Sequence, residues 1–149
     1  MAKHKRSLIL LIEDDPDYTL LLQRAFRHTV PVPRLQIVRD ASTALKYLAG
    51  QGAYADRDRY PLPELVLLDM NLPGGSALEL LKSVRQRPGL KRLPVVALTS
   101  AGTRADINSA YDAGVNSYLL KPETVDVLLN LVKAVAGYWL ILNQKPDIR

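Results

Sequence analysis

Three features of this chain predict an α/β fold: a doubly wound, five-stranded parallel sheet in the order 2-1-3-4-5 with helices on both faces. Five short apolar runs recur along the sequence. Segments with helical spacing separate them. Four of the five runs end in polar residues that could meet at one edge of such a sheet.

Leu8 to Ile12 is a continuous apolar run, the pattern of a fully buried strand. Asp15-Pro16 then reads as a helix start, with Asp15 capping and Pro16 at the first helical position. Tyr18, Leu21, Leu22, Ala25 and Phe26 follow at helical spacing, and Pro31 to Pro33 breaks the helix. Leu35 to Val38 is the second strand. Asp40 caps a helix whose apolar face is Ala41, Ala44, Leu45 and Leu48, and Gly50 ends it.

Gln51 to Pro63 is polar and flanked by proline, so it reads as a loop. Leu65 to Leu68 is the third strand and runs into Asp69. "NLPGG" is a turn, and Ser76 starts a helix carrying Leu78, Leu81 and Val84. Pro94 to Leu98 is the fourth strand, ending at Thr99-Ser100. A helix from Arg104 to Ala113 terminates at Gly114. Ser117 to Leu120 is the fifth strand, ending at Lys121-Pro122, and a last helix runs from Glu123 through Ala136. Strands alternating with helices imply parallel pairing through right-handed crossovers, which gathers every strand C-terminus along one edge.

The totals fit one domain. The chain has 149 residues and 48% hydrophobic content, enough for a single core. We expect this domain to span 1–149, with a core of about 8–136 and a C-terminal extension at 137–149. The absence of cysteine excludes disulfides, thiolate metal sites and cysteine catalysis, and is compatible with a cytoplasmic location. No apolar run approaches the ~20 residues of a membrane span, and "MAKHKR" followed by "SLILLI" is too short and too soon acidic for a signal peptide. The net charge of +5 invites a nucleic-acid reading. The basic residues are scattered, however, and one Trp with one Phe makes no stacking platform. A solvated basic surface is the simpler reading.

The polar residues at the strand ends carry the chemistry. The first strand ends in Glu13-Asp14, the third in Asp69, the fourth in Thr99 and the fifth in Lys121. Ligands of open parallel sheets bind beyond the strand C-termini at the switch point of strand order, here between strands one and three. That point brings Asp14 and Asp69 together. Carboxylates with no His or Cys suit a hard cation such as Mg²⁺. A metal would neutralise a phosphoryl group approaching Asp69, with Lys121 and the Thr99 hydroxyl as further partners. Each residue alone has a blander reading: a solvated acidic turn for Glu13 to Asp15, a turn former for Asp69, a backbone-bonded hydroxyl for Thr99, a surface amine for Lys121. Asp15 is assigned to capping. His4 and His28 lie outside the group and read as solvated.

With these motifs in place the chain resembles the receiver domain of two-component response regulators. The resemblance rests on "LLIEDD", "LVLLDMNLPGG", "LPVVALTS" and "AGVNSYLLKP", and covers roughly Leu8 to Val135. It implies that Asp69 is phosphorylated by a sensor histidine kinase. It implies that Asp14 and Asp69 bind Mg²⁺ with the backbone carbonyl of Asn71, and that Glu13 acts largely through water. It assigns Lys121 to the phosphoryl group, Thr99 to a hydroxyl that moves inward, and Tyr118 to the aromatic that follows it. It implies a cis Lys121-Pro122 bond. The activity implied is self-catalysed phosphorylation and dephosphorylation of a signalling protein, not turnover of a separate substrate. Ala77 departs from the family, which usually has glycine there; Gly74 and Gly75 offer the turn instead.

Loop length and tail character further resemble single-domain regulators partnered with bacterial phytochromes. No room for a DNA-binding domain is left after Ala136. The apolar stretch Tyr138 to Leu142 is expected to extend the last helix or to form an arm on a second copy, making a homodimer. The alternative is that it folds onto its own core. Other functions stay open at this point. One is a pseudo-receiver binding module without phosphotransfer, whose mark would be loss of a site residue. The other is a flavodoxin-like cofactor binder or small phosphatase. Acidic "EDDPD" disfavours the first form of that, and Asn71 in place of a second acid disfavours the second.

Overall fold

The computed structural model describes residues 6–148, so the reading of His4 lies outside the described residues. The elements are β1 (Leu8–Ile12), α1 (Pro16–Phe26), β2 (Arg34–Val38), α2 (Ala41–Ala49), β3 (Leu65–Leu68), α3 (Ala77–Gln86), β4 (Val95–Thr99), α4 (Arg104–Ala113), β5 (Ser117–Leu120) and α5 (Val125–Val135). The strands pair in parallel in the order β2-β1-β3-β4-β5, as expected.

Every residue of β1, β3 and β4 is buried, because helices cover both faces. Successive side chains point to opposite faces. Leu8, Leu10 and Ile12 join Val66, Leu68, Val95 and Ala97 under α2 and α3. Ile9 and Leu11 join Leu65, Leu67, Val96 and Leu98 under α1 and α5. Two apolar layers therefore clamp the central strands and fix where their C-terminal ends lie.

The helix ends follow local chemistry. Asp15 Oδ1 accepts from the Asp17 amide at 2.9 Å, Asp40 Oδ1 from the Thr43 amide at 2.7 Å, and Thr103 Oγ1 from the Asp106 amide at 3.1 Å. The turn before α3 takes its positive φ, 79°, at Gly74, which leaves Ala77 buried at the helix start in ordinary helical conformation. The usual glycine at that position is thus unnecessary here.

Two arginines that read as solvated are half-buried braces. Arg57 donates to the carbonyls of Tyr47 at 2.8 Å, Leu48 at 2.8 Å and Tyr60 at 3.2 Å. It ties the 51–63 loop to the end of α2, beside the tilted and edge-to-face rings of Tyr47, Tyr54 and Tyr60. Arg85 donates to the carbonyls of Gly114, Lys91 and Leu93 and to Asn116 Oδ1, all at 2.7–2.9 Å. Gly114 has φ of 111°, and a Cβ there would lie 2.6 Å from Arg85 Cγ.

One expectation is corrected, and the expected extension of the last helix is found. The Lys121-Pro122 bond is not cis; the cis peptide bond among the described residues is Val30-Pro31. Trans is the lower-energy isomer of an X-Pro bond, and Lys121 reaches its partners with it. The C-terminal stretch extends the last helix as π-helical turns from Ala136 to Leu142, but it does not leave the domain. Leu140 is buried and Trp139 packs on the α1/α5 layer, while Tyr138, Ile141 and Leu142 are exposed. The chain then turns back. Lys145 Nζ pairs with Glu64 Oε2 at 2.7 Å, and Ile148 packs against the α2/α3 layer. Taken together, Val125–Leu142 is one 18-residue helix long and apolar enough to cross a membrane, which no single run suggested. Here its buried face, Leu128, Val132, Val135, Ala136 and Leu140, covers the sheet.

Candidate functional site

Asp69 follows β3 directly and is 5% exposed. Its position comes from the paired register of β1, β3 and β4, and its amide donates to the Ile12 carbonyl at 3.0 Å. Each side-chain oxygen has partners from other segments. Oδ1 accepts from the Asn71 amide at 2.9 Å and from the Thr99 hydroxyl at 2.9 Å. Oδ2 accepts from Lys121 Nζ at 2.9 Å. Thr99, at the end of β4, is fully buried.

Glu13 and Asp14 follow β1. Glu13 is buried, and its Oε2 lies 2.9 Å from Lys121 Nζ while its Oε1 accepts from the Asp15 amide at 3.2 Å. Asp14 is exposed. One carboxylate oxygen each from Glu13, Asp14 and Asp69 lie within 4.8 Å of one another. Three oxygen donors this close, two of them buried, fit a hard divalent cation. The lysine already sits on two of them, so the acidic knot has a resident positive charge.

The electrostatics follow from that crowding. Burial pushes the Glu13 carboxyl up to about 7; Lys121 pulls against this, and the Asp69 charge adds to it. Burial also opposes the charge on Asp69. The Asn71 amide, Glu13 and Lys121 together outweigh it and hold Asp69 below the ordinary carboxylate value. Lys121 is likewise desolvated, but its two carboxylate partners hold its pKa above the usual value. Asp69 is therefore the anion of the pair, and Glu13 keeps a proton up to near neutrality.

The structure brings together Glu13, Asp14, Asp69, Thr99 and Lys121. The Asn71 amide faces Asp69. The resemblance assigned its carbonyl, not its amide. Tyr118 lies behind, half-buried, with its hydroxyl donating to the Ala101 carbonyl. The Thr99 hydroxyl bonds Asp69 directly, because β4 is in register with β3 at this end.

One neighbour was missed. Tyr18 read as part of the apolar face of α1. Its ring lies over Lys121, with Nζ 4.3 Å from the ring centroid. Its place three residues into a helix that starts beside the acids was the available signal.

A buried aspartate at the switch point of a 2-1-3-4-5 sheet, flanked by acids, a lysine and a hydroxyl, defines a class. The chain belongs to the response regulator receiver domain family, whose model matches residues 9–133. It is 36% identical over 133 residues to the response regulator Rcp1 of Synechocystis, covering 89% of this chain and 88% of that one. Among solved structures it is similar to the phosphorylated cyanobacterial phytochrome response regulator RcpA, with a TM-score of 0.87, 34% identity, and 95% and 99% of the two chains covered. It is also similar to the Mn²⁺-bound form of Rcp1, with a TM-score of 0.83, 35% identity, and 94% and 99% covered.

Proposed function

We propose that this chain is a single-domain phosphorylation switch of the cytoplasm, with Asp69 as phosphoacceptor for a sensor histidine kinase of the bacterial phytochrome kind. The observation that carries the reading is the setting of Asp69. It is a buried, ionised carboxylate with Lys121 on one oxygen and Thr99 and the Asn71 amide on the other. Likeness to phytochrome response regulators supports the kinase class.

Glu13, Asp14, Asp69 and the Asn71 carbonyl would hold Mg²⁺, which when bound neutralises charge on the incoming phosphoryl group. The rest belongs to the chain's own residues. An Asp69 oxygen forms a bond to phosphorus as the phosphorus–nitrogen bond of the kinase's phosphohistidine breaks. The leaving nitrogen keeps the electron pair and takes a proton from solvent. Lys121 stays protonated and moves its contact from Oδ2 to a phosphoryl oxygen. The Thr99 hydroxyl turns from Oδ1 to another, and the Tyr118 contact to Ala101 feels the change. The new negative charge thus biases the surface made by α4 and β5.

Incubation with Mg²⁺ and acetyl phosphate, followed by intact mass, tests this. One phosphoryl group should be gained, and Asp69→Ala should gain none. No gain in the native chain, or an undiminished gain in Asp69→Ala, rejects the assignment. The second reading, a pseudo-receiver that binds partners without phosphotransfer, predicts the first of those results. Against it, every residue of the expected site is present.

We also propose a homodimer through the last helix and tail. Exposed Tyr138, Ile141 and Leu142 support it, beside an apolar groove of about 400 Å³ lined by Leu119, Leu131, Val135 and Trp139. Light scattering should give twice the chain mass, falling to one on Ile141→Glu with Leu142→Glu. A monomeric native chain removes the proposal.

A further inference from the structure

The third side of the Lys121 ammonium is unexplained by the phosphoacceptor chemistry. An ammonium carries three N–H donors. Glu13 Oε2 and Asp69 Oδ2 take two, each at 2.9 Å. Where water would complete the set stands the ring of Tyr18, its centroid 4.3 Å from Nζ. The lysine side chain is only 14% exposed. The Tyr18 hydroxyl is itself buried and has no hydrogen-bond partner among the described residues. A tyrosine that buries an unsatisfied hydroxyl gives up stability, since such a group loses water without replacement. The ring, not the hydroxyl, is what this position uses.

Its placement follows from the chain. Asp15 caps α1 and Pro16 fixes its first turn, so Tyr18 leaves the helix on the side of the sheet edge where Lys121 emerges from β5. No other aromatic ring among the described residues stacks on Lys121.

We propose that Tyr18 is a positioning residue for phosphoryl transfer: its ring face is the third partner of Lys121 and holds the ammonium between Glu13 and Asp69. The inference rests on the phosphoacceptor reading of Asp69 given above. A desolvated cation over an aromatic face is attracted by the ring quadrupole, strongly enough to matter for a flexible four-carbon side chain. Without the ring, water takes the third donor, and the lysine spends less of its time poised where the phosphoryl oxygen arrives. The ground state keeps its carboxylates, so the loss falls on the rate of transfer.

The test measures the rate of phosphorylation by acetyl phosphate at saturating Mg²⁺, by intact mass against time. Tyr18→Phe keeps the ring and should run at the native rate. Tyr18→Leu should be slower by about 3- to 30-fold, the range a desolvated cation–ring contact supports. Because Tyr18→Leu also alters packing, 3,4,5-trifluorophenylalanine at position 18 provides the sharper comparison. It preserves the ring's shape and drains its face of electron density, so its rate should fall between those of Phe and Leu. In a Lys121→Met background, Tyr18→Leu should add no further slowing.

A trifluorinated ring as fast as Phe overturns the proposal. So does a Tyr18→Leu penalty that persists in full without the lysine, or a Tyr18→Phe variant as slow as Leu. If the native chain gains no phosphoryl group at all, the phosphoacceptor reading fails and this inference falls with it. If the native chain is phosphorylated and Tyr18→Leu keeps pace, only the inference falls.

Discussion

The two ends of the sheet solve opposite problems. At the C-terminal edge, Glu13, Asp69 and Lys121 are ionisable groups taken out of water and held by one another. At the N-terminal edge, the strands are closed by the Tyr47, Tyr54 and Tyr60 rings, by Arg57 on backbone carbonyls, and by the returning tail with Ile148. Buried charges are costly and respond to protonation, metal and phosphate. Buried rings and satisfied carbonyls respond to little. Reactivity is concentrated where stability is given up, and the opposite edge supplies the stability.

Substitutions at the two edges should therefore separate activity from stability. The largest effect is expected from Asp69→Asn, which should abolish phosphate incorporation while the protein stays folded with a lowered thermal midpoint, since Lys121 loses the anion that the fold holds ionised. A variant that is unfolded by circular dichroism would break the comparison. Next is Tyr47→Ala at the other edge. Tyr47 is fully buried and its hydroxyl donates to the Pro61 carbonyl at 2.7 Å. Its loss should cost about 3–5 kcal/mol in urea unfolding, with the phosphorylation rate of the folded fraction unchanged.

The pH dependence is subtler. The folded-state pKa of Glu13, about 7, lies above its ordinary value of 4.5. The folded protein thus binds the extra proton between these values, and that stabilisation is complete below about 4.5 and lost as pH rises through about 7. Asp69 acts in the opposite sense at lower pH: its depressed pKa stabilises the fold above 3.8, an effect lost as pH falls below that. Metal-free protein should lose about 1–3 kcal/mol between pH 5 and pH 8 in denaturant titrations. Glu13→Gln, which mimics the protonated acid, should flatten that slope. The smallest effects belong to the tail. Ile148→Ala should cost about 1 kcal/mol and Lys145→Ala, from an exposed pair, well under that, neither touching phosphorylation.

The strands and the site acids were legible because burial and charge leave one-dimensional marks. An apolar run that stops at an acid says where a strand ends, and the strand order then says which ends meet. Gly50 and Gly114 marked helix ends for a similarly local reason, since both adopt positive φ. Residues whose role depends on where a long side chain reaches were not legible. Arg57 and Arg85 look like any surface arginine until their carbonyl partners, up to 10 residues away for Arg57 and 29 for Arg85, are in place. Tyr18 satisfied the helical period and so gave no reason to look further. Nothing in "AGYWLIL" distinguishes a π-helical continuation from an ordinary one, because the difference is one hydrogen-bond step and not a composition. The tail's return depended on Ile148 finding a ledge made by residues far upstream.

In this structure the Thr99 hydroxyl bonds Asp69 and the Tyr118 hydroxyl bonds the Ala101 carbonyl. If the proposed phosphorylation switch starts from these contacts, it has little further to travel, and its dynamic range is narrow. A partner that recognises the α4/β5 face would discriminate the two forms by a modest ratio, because most of the ordering it requires is present beforehand. Such a device sends its message by how many copies are modified, more than by how far each one moves.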